Sequence, residues 1–339
     1  MSKLIKILSI DGGGIRGIIP AKVLSYIEEK TDQRICQMFD LICGTSTGGI
    51  LALGLTKPDP NDRTQPHYRA EDLIKIYEEK GQTIFSRNIW QKIHSAWNLT
   101  DEKYDSLGIE SVLWDYFKDV FLSEALTELL IPSYEIENRD CFFFKTSLAK
   151  VKRQTHDFLM RQVARSTSAA PTYFEPCRMA AEHDPDDPSD PNKTKPYWAL
   201  IDGGVFANNP AMCGFAEALS IYGPGQDYLV VSLGTGQLTR PIPYDSARDW
   251  GLAGWAQNII SVIFDGVQDT VHYQLKQLLP SADGTKKRYY RFQVELDMGM
   301  DDMDDASETN LFALQHKADE LIAQETKALG KLCQLLKQG

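Results

Sequence analysis

The chain has 339 residues, 42% of them hydrophobic and 24% charged, ordinary globular proportions that exclude a disordered or collagen-like polymer and suffice for one large domain or two small ones. Lys and Arg number 36 against 47 Asp and Glu, a formal net charge of −11, and no segment clusters the bases that duplex phosphate demands. This argues against duplex nucleic acid as a partner and means that docking on anionic lipid cannot rest on global charge.

Lys3 to Ile10 reads as a buried first strand; Lys6 and Asp11 interrupt the apolar stretch and no small-residue cleavage site follows, so it is not read as a signal peptide. Asp11-Gly-Gly-Gly then turns into a helical pattern beginning near Pro20, with Val23, Leu24 and Ile27 on one face. Phe39 to Gly44 is a second strand, and Thr45-Ser-Thr-Gly-Gly leads into Ile50 to Leu55, which suits a buried helix. A surface loop from Lys57 to about Gln65 precedes helical segments at Ala70 to Lys80 and Gly108 to Asp119, a short element at Ser123 to Leu130, a strand at Phe142 to Ser147 and a helical spacing at Asp157 to Arg165. An acidic, proline-broken loop from Glu182 to Pro196 leads to strands Tyr197 to Ile201 and Tyr228 to Leu233, each followed by a glycine turn. Beyond them the pattern is mostly helical, interrupted by a predicted edge strand at Tyr289 to Val294. Strands separated by helices imply a mostly parallel sheet covered on both faces, with ligands bound where strands end in glycine turns.

Gly44-Thr45-Ser46-Thr47-Gly48 matches G-x-S-x-G in the strand-to-helix context that the motif requires, where a strained turn lifts the Ser46 hydroxyl clear of the backbone. The plainer alternative is a serine that only caps the helix. None of the six histidines follows a predicted strand, whereas Asp202 does, and the two glycines after it permit close approach. A Ser46/Asp202 dyad follows, with Asp202 as base. An aspartate of ordinary pKa, about 3.9, is weak for that task, so proton transfer has to be concerted with attack and the oxyanion strongly stabilised. Gly12, Gly13 and Gly14 offer successive backbone N–H groups for that purpose, and Arg16 adds a positive charge. Gly12-x-Gly14-x-x-Gly17 also satisfies a dinucleotide fingerprint, but no acid ends the second strand, and Ile18 and Ile19 stand where a phosphate-binding loop needs Lys and Ser or Thr.

Asp11-Gly-Gly-Gly-Ile-Arg-Gly, Gly44-Thr-Ser-Thr-Gly and Asp202-Gly-Gly together resemble the patatin-like phospholipase family, as do Arg165-Ser-Thr-Ser-Ala-Ala-Pro, Val205-Phe-Ala-Asn-Asn-Pro and Ser232-Leu-Gly-Thr-Gly. The likeness is close from Leu4 to Gly236 and looser beyond. It implies a three-layer α/β/α sandwich in one domain spanning 1–339, with 240–339 as its mainly helical C-terminal portion. It implies lipid acyl ester hydrolysis of phospholipase A type without metal or organic cofactor: Ser46 is the nucleophile, Asp202 the base, Gly12 to Gly14 the oxyanion hole, and Arg16 the basic residue closing it. Some bacterial members are defence effectors switched on by a cyclic nucleotide, so a cyclic nucleotide activator and a homo-oligomer enter as expected partners beside a phospholipid or other lipid ester and peripheral membrane contact. The alternative is a catalytically silent nucleotide- or lipid-binding module using the Gly12 to Gly17 loop. Six cysteines without a C-x-x-C pair suit reduced thiols, a cytoplasmic setting and no structural zinc. The Trp250 to Val271 stripe, with Trp255, Ile259, Ile263 and Phe264, is the expected apolar wall for an acyl chain, and Asp297 to Asp305 is expected to be a solvated loop.

Overall fold

The computed structural model describes residues 3–85, 106–180, 197–237, 241–279, 287–297, 299–300 and 302–338; the loop expected at Glu182 to Pro196 lies outside them. One sheet organises the rest. Its strands are β1 (Leu4–Ile10), β2 (Leu41–Gly44), β3 (Glu128–Glu135), β4 (Asp140–Lys145), β5 (Cys177–Ala180), β6 (Tyr197–Asp202), β7 (Asp227–Leu233) and β8 (Tyr289–Phe292), in the order β5-β6-β3-β2-β1-β7-β8, with β4 on the remaining edge of β3. The pairings β1–β2, β1–β7, β2–β3 and β7–β8 are parallel, and those of β3 with β4, β3 with β6 and β5 with β6 are antiparallel.

Side chains alternate through the central strands and so build two cores. Leu8 and Ile10 of β1 and Leu229 and Val231 of β7 join the larger core with helices Ile18–Thr31, Thr47–Thr56 and Ala70–Ile84, while Ile5, Ile7, Tyr228 and Val230 face helix Ala211–Tyr222 and the end of helix Leu252–Leu278. This is the α/β/α sandwich. Every residue of helix Thr47–Thr56 is buried, which explains why its sequence is apolar all round. The C-terminal helices Glu308–Gln324 and Thr326–Lys337 contribute Leu314, Leu321 and Leu332 to the larger core. The Lys6 ammonium donates to the carbonyls of Leu336 and Gln338 at 3.0 and 2.8 Å, fastening the chain's end to its first strand.

The topology around β3 places the site. β2 runs parallel to β3 along Glu128 to Leu130, and β6 runs antiparallel along Ser133 to Glu135. Because β4 takes the other edge of β3, β2 and β6 share one edge, head to head. Gly44 and Asp202 therefore end their strands facing one another.

Candidate active site

Between the end of β2 at Gly44 and the helix starting at Thr47, Ser46 has to reverse the chain. Its backbone sits at φ 55°, ψ −124°, a conformation that costs a side-chain-bearing residue about 1–3 kcal/mol. Surrounding bonds hold it there: the Ser46 N–H donates to the Thr167 hydroxyl at 3.0 Å, that hydroxyl donates to the Pro132 carbonyl at 2.6 Å, and the Thr45 hydroxyl donates to the Ala207 carbonyl at 2.6 Å. A Cβ on Gly44 would fall 2.1 Å from the Gly48 carbonyl oxygen, so the turn closes only with hydrogen at that position. Ser46 occupies the cap position of the helix, yet its side chain caps nothing.

The Ser46 side chain instead shares one cavity with the Asp202 carboxylate and lies close enough to lower its pKa. Gly204 N–H donates to Oδ1 of Asp202 at 2.7 Å, and the Asp202 N–H donates to the Ala169 carbonyl at 2.9 Å. Asp202 is 2% exposed, and burial pushes its carboxyl up to about 7 against the pull of Ser46 and the Gly204 bond. The weak-base difficulty of the unperturbed side chain is thereby removed, because a conjugate acid near neutrality makes a far better proton acceptor. The described histidines bond elsewhere: His272 to the Tyr289 hydroxyl, His67 to Asp59, His156 to Thr155 and His316 to Glu320.

The glycine turn divides its labour differently from the expectation of three equivalent donors. Gly12 N–H is committed to the Asn208 carbonyl at 3.0 Å, and the Gly12 carbonyl accepts from the Thr235 hydroxyl at 2.7 Å. Gly13 and Gly14 line the cavity beside Ser46. Gly14 has φ 58°, and a Cβ there would lie 2.1 Å from the Met303 carbonyl oxygen, which also accepts from Ile15 N–H at 2.8 Å. The acidic 297–305 loop is thus more than a solvated connection, since Met303 closes over the turn. Arg16 is buried, donates through Nε to the Gly13 carbonyl at 3.3 Å and is not among the cavity-lining residues; it shapes the turn from behind. Asp11, ahead of the glycines, accepts from Arg291 Nη2 at 2.6 Å, and Arg291 Nη1 donates to the Ser232 hydroxyl at 2.9 Å, tying the turn to β8 and β7. Burial lifts the Asp11 carboxyl to about 6 while Arg291 draws it back down.

A cavity of about 70 Å³ opens over Ser46 and Asp202. Its apolar wall comes chiefly from Ile76, Tyr77, Ile84 and Phe85 on helix Ala70–Ile84 and its end, with Phe174 opposite. Among the described side chains of the Trp250 to Val271 stripe, Phe264 lines it, whereas Trp255, Ile259 and Ile263 are 40–42% exposed. Three residues of the site escape sequence reasoning as individuals. Thr167 and Asn208 stand inside motif runs, but Met303 carries no signal, its role being played by a backbone carbonyl.

The model of the patatin-like phospholipase family matches residues 8–212. The chain belongs to the patatin-like phospholipase family. It is 33% identical over 340 residues to patatin-like protein 2 of Oryza sativa subsp. japonica, covering 91% of this chain and 81% of that one. Patatin-like protein 4 of Arabidopsis thaliana is 31% identical over 350 residues, with 94% and 83% covered. The Solanum tuberosum protein named "Probable inactive patatin-3-Kuras 1" is 31% identical over 345 residues, with 95% and 87% covered. Membership supports lipid acyl hydrolysis as the class of activity, and within this patatin-like chain the matched span includes every residue described above from Leu8 to Asn208.

Proposed function

We propose that this protein is a serine-dependent carboxylic ester hydrolase of phospholipase A type, acting on membrane phospholipids. The observation that carries the proposal is the strained Ser46 turn opening into the same cavity as a buried Asp202 carboxyl raised to about 7. In the proposed reaction Ser46 Oγ attacks the ester carbonyl carbon while Asp202 takes the hydroxyl proton. The N–H groups of Gly13 and Gly14 receive the oxyanion, Gly12 serving as the close-packed hinge of the turn. Collapse expels the alcohol, which leaves as a lysophospholipid with the proton from Asp202. Water then attacks the acyl-serine and gives a proton to Asp202; collapse breaks the bond to Ser46 Oγ, which takes that proton back from Asp202, and the fatty acid is released. Each oxyanion donor is worth about 2.7–4 kcal/mol of the barrier.

Peripheral membrane contact is supported by Trp255, Ile259, Val262 and Ile263, exposed on the helix whose Phe264 lines the cavity. The proposal includes control by a cyclic nucleotide activator. A cyclic di- or trinucleotide added to the purified protein then raises phospholipid hydrolysis from a low basal rate; full activity without it removes the need for a trigger. Against the silent-module alternative, Asn208, Thr235 and Met303 press on Gly12, Gly13 and Gly14 more closely than a Cβ would permit, leaving little of that turn open to a pyrophosphate.

A fluorophosphonate probe tests the central assignment. Wild type should label and hydrolyse phospholipid vesicles, and Ser46→Ala should do neither; retained hydrolysis in Ser46→Ala would end the proposal.

A further inference from the structure

Beyond the catalytic cavity lies a second cleft of about 370 Å³, bounded by helices Ser106–Phe117 and Met160–Thr167 and strand β5. Its charge is opposite to that of the chain. Arg161, Arg165 and Arg178 line it beside one carboxylate, Glu110, in a protein of net charge −11. Arg165 is the buried member, 5% exposed. Its Nη2 donates to the Glu175 carbonyl at 3.1 Å, its Nε stands 3.4 Å from Glu110 Oε1 without hydrogen-bond alignment, and its Nη1 has no hydrogen-bond partner among the described residues. A buried guanidinium with a donor unspent is costly; Nη1 is shielded from solvent, so Arg165 acts on the cleft through its positive charge. Arg161 is held ready by bonds to the Lys118 carbonyl and Asp119, both at 3.0 Å, and stacks 4.8 Å from the Trp114 ring, which is 45% exposed. Arg178 stacks 4.0 Å from the Tyr197 ring. Planar, pre-oriented guanidinium forks suit the oxygens of a phosphate ester better than a single carboxylate.

The same segment holds the dyad. Thr167, two residues past Arg165, accepts the Ser46 N–H, and Ala169 accepts the Asp202 N–H. Phe174, whose ring lies 5.9 Å beneath the Arg165 guanidinium, is also a wall of the catalytic cavity.

We propose that this cleft binds a phosphate ester, and that its occupancy is relayed to Ser46 and Asp202 through residues 165–174. Binding stands independently of the reaction performed at Ser46; the relay rests on the hydrolase assignment. Two sources carry the shared chemistry, a soluble phosphate ester and a phospholipid headgroup.

Calorimetric titration of full-length protein with inorganic phosphate and AMP, and in parallel with phosphatidylglycerol vesicles, separates them. Because Arg165 also anchors Glu175, its replacement disturbs the fold, and Arg178→Ala, at an exposed position, and Arg161→Gln, at a half-buried one, are the primary variants, checked for native circular dichroism. Expected is saturable binding, in the soluble arm or the vesicle arm, that weakens with added salt and falls about tenfold or more in each variant. Wild-type intrinsic fluorescence should change on binding, and Trp114→Phe should remove most of that response. No saturable binding in either arm, or binding that both arginine variants leave intact, overturns the site. Arginine-dependent binding with no change in hydrolysis of a soluble short-chain ester overturns the relay alone, and failure of ester hydrolysis in all forms leaves the binding result readable by itself.

Discussion

Asp202→Asn should make the protein more stable while abolishing its activity, and the gain should grow with pH. In the folded chain the carboxyl is raised from 3.8 to about 7, chiefly by burial. Between those values the native state holds a proton that the unfolded chain has released, so stability falls as pH rises through the window. Each pH unit costs about 1.4 kcal/mol, and the accumulated cost is less than half complete at pH 5 and reaches about 4 kcal/mol by pH 8. Asparagine keeps an oxygen for Gly204 N–H and an amide donor for the Ser46 oxygen, and it never ionises. With about 2 cal/mol/K of unfolding entropy per residue, the Tm gap between Asp202→Asn and wild type should widen by about 4 °C from pH 5 to pH 8. Asp11, raised to about 6, titrates in both proteins and cancels in the difference. Thermal unfolding followed by circular dichroism across that range is the assay. A gap that stays constant or narrows with pH would refute the argument that a buried, ionising Asp202 strains the fold.

On the proposed mechanism the same protonation governs turnover: wild-type hydrolysis of a soluble ester should rise about tenfold per pH unit below pH 7 and level off above it, which a pH–kcat/KM profile tests. Gly14→Ala places a methyl against the Met303 carbonyl at φ 58°, and should cut kcat by about 100-fold or more in steady-state assays. Thr167→Val orphans the Ser46 N–H and should lower stability by about 1–3 kcal/mol in urea unfolding, with kcat falling more than KM changes. Arg291→Met leaves the Asp11 carboxylate buried without its cation and should cost about 3–5 kcal/mol by the same measurement.

The elements around the motifs were legible because local chemistry dictates them. An apolar strand, a G-x-S-x-G turn and an all-apolar helix admit few arrangements, and Leu41–Gly44 and Thr47–Thr56 appear where that pattern places them. Strand β3 was not legible: Ser123 to Leu130 read as a short element, while the strand runs Glu128–Glu135 through Pro132. A proline inside a central strand is tolerated here because Pro132 lies where β2 has ended and β6 has barely begun, and its carbonyl takes the Thr167 hydroxyl instead of a ladder bond. The antiparallel entry of β6 was equally hidden, since direction in a sheet is fixed by long-range pairing. The acyl wall was misplaced for a related reason, an amphipathic stripe giving no information about which neighbour its face meets. The elevated basicity of Asp202 likewise arises from enclosure by distant segments.

The head-on meeting of β2 and β6 along one side of β3 has a consequence during synthesis. Ser46 emerges from the ribosome well before Asp202, and the two become neighbours only when Tyr197–Asp202 pairs with Ser133 to Glu135. A nascent or truncated chain ending before that strand carries Ser46 without Asp202. On the proposed mechanism such a chain should show no ester hydrolysis.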